Sequence, residues 1–321
     1  MDRRISVAPM MDWTDRHDRY FLRLLAPHIL LYTEMLTAQA VVYGDYRYLL
    51  RFNPLEHPVA LQLGGSDPSL LAAAARRGED FGYDEINLNV GCPSDRVQAG
   101  RFGACLMREP ALVAACVAAL RAAVRVPVTV KCRIGVDEHD SYEDLRQFIA
   151  TVAAAGCEIF IVHARKAWLQ GLSPKENREI PPLRYAIVWQ LKRDFPQLTF
   201  VINGGIKNAA QVAEHLQWVD GLMIGREAYT NPYFLAELQK QFYSAAHHPG
   251  SRAAVIEKLL PYVQEELNKQ TRLGSITRHL LGLFHGEPGA KRWRRYLSEN
   301  AHCSAAGVEV LQAALACAEG G

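Results

Sequence analysis

The 321-residue sequence contains no Cys-x-x-Cys pair: its seven cysteines stand at positions 92, 105, 116, 132, 157, 303 and 317. An odd number so widely spaced excludes a disulfide framework and suggests no metal site, and the expected surroundings are the reducing cytoplasm. Uninterrupted apolar runs of about 18 residues, the length that spans a bilayer, are missing as well, so no membrane association is expected. Met1-Asp2-Arg3-Arg4 leads into only a short apolar stretch, and no signal peptide is expected. Charge of one sign is also lacking, since 36 Lys and Arg face 34 Asp and Glu for a formal +2. Any acidic partner must therefore be met by a local cluster. With 49% hydrophobic and 22% charged residues, the chain can bury a sizeable core, which excludes global disorder, collagen and coiled coil.

What is present is an alternation of short β-branched runs with longer Ala/Leu-rich runs over residues 1–230, the pattern of βα units. Strands are predicted at 5–8, 28–33, 59–63, 85–88, 126–130, 158–162, 199–202 and 221–224, which is the count of a (β/α)8 TIM barrel. Asp67-Pro68 signals a helix start, with an end expected near Gly78, and Ser141 with Asp144 signals another that ends at Gly156. The segment 166–182 is a long polar insertion after the sixth strand, and loops of that length usually carry function. Residues 244–251 have the composition of a linker. Beyond it only helical periodicity remains, at 252–271, 275–284, 288–297 and 304–317. The expected organisation is a barrel domain over 1–243 and a small helical bundle over 252–321.

In such a barrel the reactive groups gather at the carboxyl ends of the strands. Here those positions hold Pro9-Met10-Met11, Glu34, Gln62, Asn87 and Asn89 with Cys92, Lys131 with Arg133, His163 with Arg165, Asn203-Gly204-Gly205 and Gly225-Arg226. Loops after the seventh and eighth strands commonly cradle a phosphate with glycine amides, and Arg226 adds a cation. Lys131 closes an apolar strand, where an ammonium needs an anion or an electron-rich carbonyl. Gln62 and His163 suit the edge of a ring carrying donors and acceptors, although either also fits as a satisfied core residue. Cys92 lies on a loop, where a thiol can serve as acid or nucleophile, whereas Cys116 and Cys157 sit in apolar surroundings expected to be core.

Taken together, Ala8-Pro-Met-Met-Asp12, Leu61-Gln-Leu-Gly64, Asn87-Leu-Asn-Val-Gly-Cys-Pro93, Val130-Lys-Cys-Arg-Ile-Gly135, Val162-His-Ala-Arg165, Asn203-Gly-Gly-Ile206 and Gly225-Arg226 closely resemble the tRNA-dihydrouridine synthases. The segments 164–182 and 292–300 resemble the bacterial A subfamily. The resemblance implies an FMN-dependent, NADPH-driven reduction of uridine in the tRNA D-loop, at positions 20 and 20a. Hydride would pass from the flavin to uracil C6, with Cys92 protonating C5. It also implies that Pro9, Met10, Met11, Gln62, Lys131 and His163 hold the flavin ring and that Asn203, Gly204, Gly205, Gly225 and Arg226 hold its phosphate. Asn89 would bind the extruded uracil, with Arg133 and Arg165 as further candidates.

An RNA partner calls for clustered cations. Residues 272–295 hold Arg272, Arg278, Lys291, Arg292, Arg294 and Arg295 against a single acid, Glu287. Arg278, Arg292 and Arg295 are therefore expected tRNA contacts, joined by Lys175, Asn177, Arg178 and Arg184 in and beyond the sixth loop. The expected state is a monomer with no obligate protein partner. Two alternatives remain open at this point: a flavin barrel acting on a free pyrimidine, and a silent RNA-binding scaffold.

Overall fold

A computed structural model describes residues 1–243, 246, 249–303 and 305–319, with Arg96 described in its backbone alone. Eight strands are present: β1 Ile5–Val7, β2 Leu31–Thr37, β3 Val59–Gly64, β4 Glu85–Val90, β5 Val128–Arg133, β6 Ile159–His163, β7 Thr199–Asn203 and β8 Gly221–Ile224. They pair in the order β1-β8-β7-β6-β5-β4-β3-β2, all in parallel. A bridge between Ser6 and Leu30 joins the two ends, with Val7 N–H donating to Leu30 O at 2.9 Å and Leu30 N–H to Ile5 O at 3.3 Å. The result is a (β/α)8 barrel whose strands are buried on both faces, which is why they read as apolar runs. Ala8, Leu30, Tyr32, Ala60, Ile161, Val201 and Met223 fill the interior, with Met10 packed against them.

The strands run further than their apolar runs. β4, β5, β6 and β7 end at residues 90, 133, 163 and 203 because the backbone ladder continues where the hydrophobicity stops. Asn89 pairs in register with Lys131, Arg133 with His163, and His163 with Asn203. These polar residues are therefore the last rungs of the sheet rather than loop residues. β2 begins later than predicted and runs to Thr37 through a register shift between Tyr32 and Met35, so Glu34 lies within it. The helix Pro68–Phe81 is capped by Asp67, which accepts from Ser69 and Leu70 N–H, but it passes through Gly78 and stops at Gly82, φ +102°. A Cβ at Gly78 would lie 2.6 Å from Leu61 Cδ2, so this glycine serves close helix-to-sheet packing instead of ending the helix.

The chain divides into two compact units, Met1–Met11 with Leu30–Gly225, and Asp12–Ile29 with Arg226–Gly321. The first contains all eight strands. The second groups the early helix Arg16–Leu25 with Arg252–Asn268, Leu273–Thr277, Ala290–Asn300 and Val308–Glu319. The second predicted tail helix, 275–284, is mostly a series of turns: Gly282 packs so closely on the carbonyls of Tyr229 and Thr230 that a Cβ would meet them at 2.8 and 2.6 Å. The linker read at 244–251 falls partly, and the start at 304 wholly, outside the described residues.

Candidate active site

The two-residue period of a strand sets Glu85, Asn87 and Asn89 of β4 on one face, toward the barrel interior. A hydrogen-bond chain runs up that face. Glu85 pairs with Arg3 and accepts from the Tyr32 hydroxyl at 2.7 Å and the Thr129 hydroxyl at 2.5 Å. Asn87 Nδ2 donates to Thr129 Oγ1 at 2.7 Å, Gln62 Nε2 to Asn87 Oδ1 at 2.7 Å, and Asn89 Nδ2 to Gln62 Oε1 at 2.9 Å. Asn89 Oδ1 then accepts the backbone N–H of Gly91 at 3.1 Å and of Cys92 at 3.0 Å. Each buried amide is oriented by the one below it, and the chain ends on the backbone of the cysteine loop.

Cys92 is half-buried, its Sγ 3.5 Å from Ser94 Oγ. Its carbonyl accepts Ala104 N–H at 2.9 Å, and Gly103, φ +76°, lets that approach happen because a Cβ there would meet Cys92 O at 2.5 Å. Arg133 braces the same loop: Nε donates to Gly91 O at 3.0 Å, and Nη1 to Lys166 O at 3.1 Å and Asn177 O at 2.8 Å. Burial pulls its pKa down to about 10. Gln98 adds a strap from Pro93 O, 2.9 Å, to Leu169 O, 2.7 Å. Cys116, Cys132 and Cys157 are buried, and burial pushes their thiols up to about 11, 12 and 12, which leaves them protonated and inert.

Lys131 Nζ donates to Asn203 Oδ1 at 3.2 Å, and Asn203 is turned for this by its Nδ2 bond to Met223 O at 2.7 Å. Lys131 and His163 are half-buried, and burial, followed by the charge of Arg133, brings the lysine down to about 8. The same two causes, with Lys131 and Arg165 beyond them, hold His163 well below the ordinary imidazole value, so it is neutral at physiological pH. After β7, Gly204 and Gly205 have φ of +117° and +72°. A Cβ on Gly204 would reach His163 Cδ2 at 2.8 Å, and one on Gly205 would reach Leu183 Cδ1 at 2.5 Å. Tyr185 donates its hydroxyl to Gly204 O at 2.7 Å. Gly225 faces open space, with only Ala8 Cβ near a built Cβ, at 3.9 Å. Pro9 is half-buried and Met11 exposed.

The insertion 166–182 is folded around Asn177. Its buried carboxamide accepts from Trp168 N–H at 2.8 Å and donates to Trp168 O at 2.9 Å and Leu172 O at 3.1 Å. Asn177 is thus an organiser of the loop and presents no face to RNA, unlike Lys175, Arg178 and Arg184, which are exposed. Arg165 braces the same segment through Glu179 O at 3.1 Å and Pro181 O. In the second unit Trp293 is buried and bonds Leu280 O at 2.9 Å, which turns Lys291, Arg292, Arg294 and Arg295 outward. Arg292 bonds Cys317 O at 2.6 Å, Arg295 pairs with Glu299 at 2.8 Å, and Arg278 pairs with Asp15 at 2.7 Å. Arg226 opens the later segment of the second unit, in the helix Arg226–Thr230.

Sequence reasoning did not single out Thr129, Glu85, Gln98 or Tyr185. For the first two a signal existed, a polar residue at an inward position of an apolar strand. For Gln98 and Tyr185 there was none.

Comparison with known proteins gives the family. The dihydrouridine synthase (Dus) family profile matches residues 6–319. A tRNA-dihydrouridine(20/20a) synthase of Synechocystis sp. is 63% identical over 311 residues, 97% of this chain and 93% of its own. That of Vibrio cholerae is 61% identical over 314 residues, covering 98% and 96%, and that of Escherichia coli K12 is 61% identical over 313 residues, covering 97% and 90%. With a matching profile over nearly its whole length and relatives at this identity, the chain belongs to the dihydrouridine synthase family of flavin-dependent oxidoreductases.

Proposed function

We propose that this protein reduces the C5–C6 double bond of uridine to dihydrouridine at positions 20 and 20a of the tRNA D-loop, with FMN as resident cofactor and NADPH as reductant. The observation that carries the proposal is the Thr129–Asn87–Gln62–Asn89 chain ending on Cys92, whose thiol stands half-open in a mouth that also holds Lys131 and His163. The named relatives act on tRNA at 20/20a.

The residues present suit the cofactor. Lys131 has one side-chain acceptor, Asn203, and is positioned to donate to a ring carbonyl. Gly204, Gly205 and Gly225 leave backbone amides unshielded for a phosphate, and Arg226, next in the chain, is the proposed counter-cation. Pro9, Met10, Met11, Gln62 and neutral His163 would border the ring. The chemistry that FMN would supply, when bound, is a hydride for uracil C6. Cys92 protonates C5, its thiol held by backbone bonds at both its N–H and its carbonyl. Asn89 uses one Nδ2 hydrogen on Gln62 and has the other for a uracil carbonyl. Arg133 and Arg165 act as braces of the walls around the base.

For RNA we assign Lys175, Arg178 and Arg184 in the barrel and Arg278, Arg292 and Arg295 in the helical tail. The barrel domain would be 1–243 and the tRNA-binding domain 252–321, acting as a monomer in the cytoplasm. Among the described residues no helix is long and apolar enough to cross a membrane.

An anaerobic stopped-flow trace of the photoreduced protein tests the reading. Unmodified tRNA is expected to reoxidise the flavin rapidly and free uridine is not. Reoxidation by free uridine alone would mean a free-pyrimidine enzyme, and colourless protein would mean a scaffold.

A further inference from the structure

Beside the Cys92 loop the first unit has a groove of about 600 Å³, walled by Asp95 and Gln98 on one side and by the segment 169–173 of the long insertion on the other. None of the described side chains lining it is cationic. Leu169 and Leu172 give it apolar surface, while Asp95, Gln98, Gln170 and Ser173 offer carboxylate, amide and hydroxyl groups. Apolar faces with polar edges are what an unstacked nucleobase requires.

The groove is also fixed relative to the reacting thiol. Gln98 bonds Pro93 O and Leu169 O, so one wall is tied to the cysteine loop directly and the other through Gln98, while Arg133 ties Gly91 O to Asn177 O further along the insertion. Asp95 follows Cys92 by three positions, a span of at most about 11 Å. Further along the same insertion, Lys175 and Arg178 are exposed cations, the charge that the phosphates of a strand with its bases in the mouth and in the groove would meet.

We infer that this groove is a subsite for the nucleobase adjacent to the reacting uridine, read by Asp95, Gln170 and Ser173. The inference rests on the tRNA reading above. It gives the enzyme a contact with the neighbour of its target, which matters for a catalyst proposed to act at two consecutive positions.

The test uses the full-length FMN-loaded protein, an unmodified tRNA transcript, and transcripts with an abasic residue on the 5′ or the 3′ side of the target uridine. For Gln170→Ala/Ser173→Ala, and separately for Asp95→Asn, kcat/KM on intact tRNA should fall roughly tenfold, the effect of losing one or two hydrogen bonds. The rate of flavin reduction by NADPH should not change. One of the abasic transcripts should cost the wild type a similar factor and cost the variants no more. Unchanged kcat/KM in both variants, or losses that multiply on both abasic transcripts, would overturn the subsite. If intact tRNA fails to reoxidise the wild-type flavin, the tRNA reading itself fails and takes the subsite with it.

Discussion

In the barrel, polar side chains run in a hydrogen-bonded line from Arg3 and Glu85 to Asn89 and stop at the backbone of Cys92, in a mouth where the Cys92 thiol, Lys131 and neutral His163 have capacity left over. In the second unit the charges are used in pairs. Asp15 caps the helix Arg16–Leu25 and pairs with Arg278 at 2.7 Å and His279 at 3.1 Å. Against the opposing effect of burial, the bond to His279 and its charge hold the Asp15 carboxyl well below the usual range. Arg16 pairs with Glu266, which also accepts from Thr271 at 3.0 Å, and His17 bonds the Tyr262 hydroxyl at 2.7 Å. Buried charge therefore has two uses in one chain. A set of paired charges holds helices together, and a line that ends at the cysteine loop, beside an under-partnered ammonium, is a site.

The sharpest separation of the two comes from Cys92→Ala. It removes the terminal group of the barrel line without touching the backbone bonds that end on it. Flavin content should be retained while turnover on tRNA falls by about 10²–10⁴, the usual contribution of a positioned acid. Steady-state rates and the flavin absorbance of the purified variant measure both. Normal multiple turnover would show that the proton comes from elsewhere.

Glu266→Gln should do the opposite, lowering stability while leaving turnover per folded, flavin-loaded molecule unchanged. Removing one member of a buried pair is expected to cost about 2–3 kcal/mol at neutral pH. The sign with pH follows from the shift. Although burial opposes it, the bond from Arg16 brings the Glu266 carboxyl down to about 2, against about 4.3 in an unfolded chain. Its contribution is fully present above the unfolded value and is lost as pH falls toward 2. Thermal or urea unfolding at pH 7 and pH 3 should show the gap between wild type and variant narrowing at the lower pH, and a constant gap would remove the charge from the explanation. His17 adds to acid lability, because burial lowers its pKa to about 4 and the unfolded state then takes up its proton first, between about 6.5 and 4.

How much of this was legible depends on how far apart in sequence the partners lie. The eight strands and their terminal polar residues could be read because an Asn, Lys or His at an inward position of an apolar run is conspicuous. The Asp67 and Ser141 caps are local and were found where expected. The interior line was not readable: Gln62 and Asn87 are 25 residues apart and Asn87 and Thr129 are 42 apart, and nothing in either segment names the other. Asn177 looked like a surface residue because its partners are backbone groups of its own loop, which composition does not report. The grouping of Arg16–Leu25 with the tail rests on contacts such as Arg16 with Glu266, 250 residues away.

Tyr185 belongs to neither pattern, and its effect should be the smallest. It is the first residue of the helix Tyr185–Asp194, and its hydroxyl, which burial keeps protonated, donates to Gly204 O. That single bond sets the carbonyl of a left-handed glycine whose neighbouring amides are the proposed phosphate ligands. Tyr185→Phe keeps the ring and its edge contact with His215 and deletes only the donor, a change of about 1 kcal/mol. The apoprotein should bind FMN roughly fivefold more weakly by fluorescence quenching. At saturating FMN, kcat should stay at the wild-type value, since nothing at Cys92 has moved. Unchanged FMN affinity would mean that Leu183 packing and the two glycine conformations hold the loop unaided. A fall in kcat at saturating FMN would mean that the phosphate loop and the cysteine line are coupled, contrary to the separation drawn between braces and reactive groups.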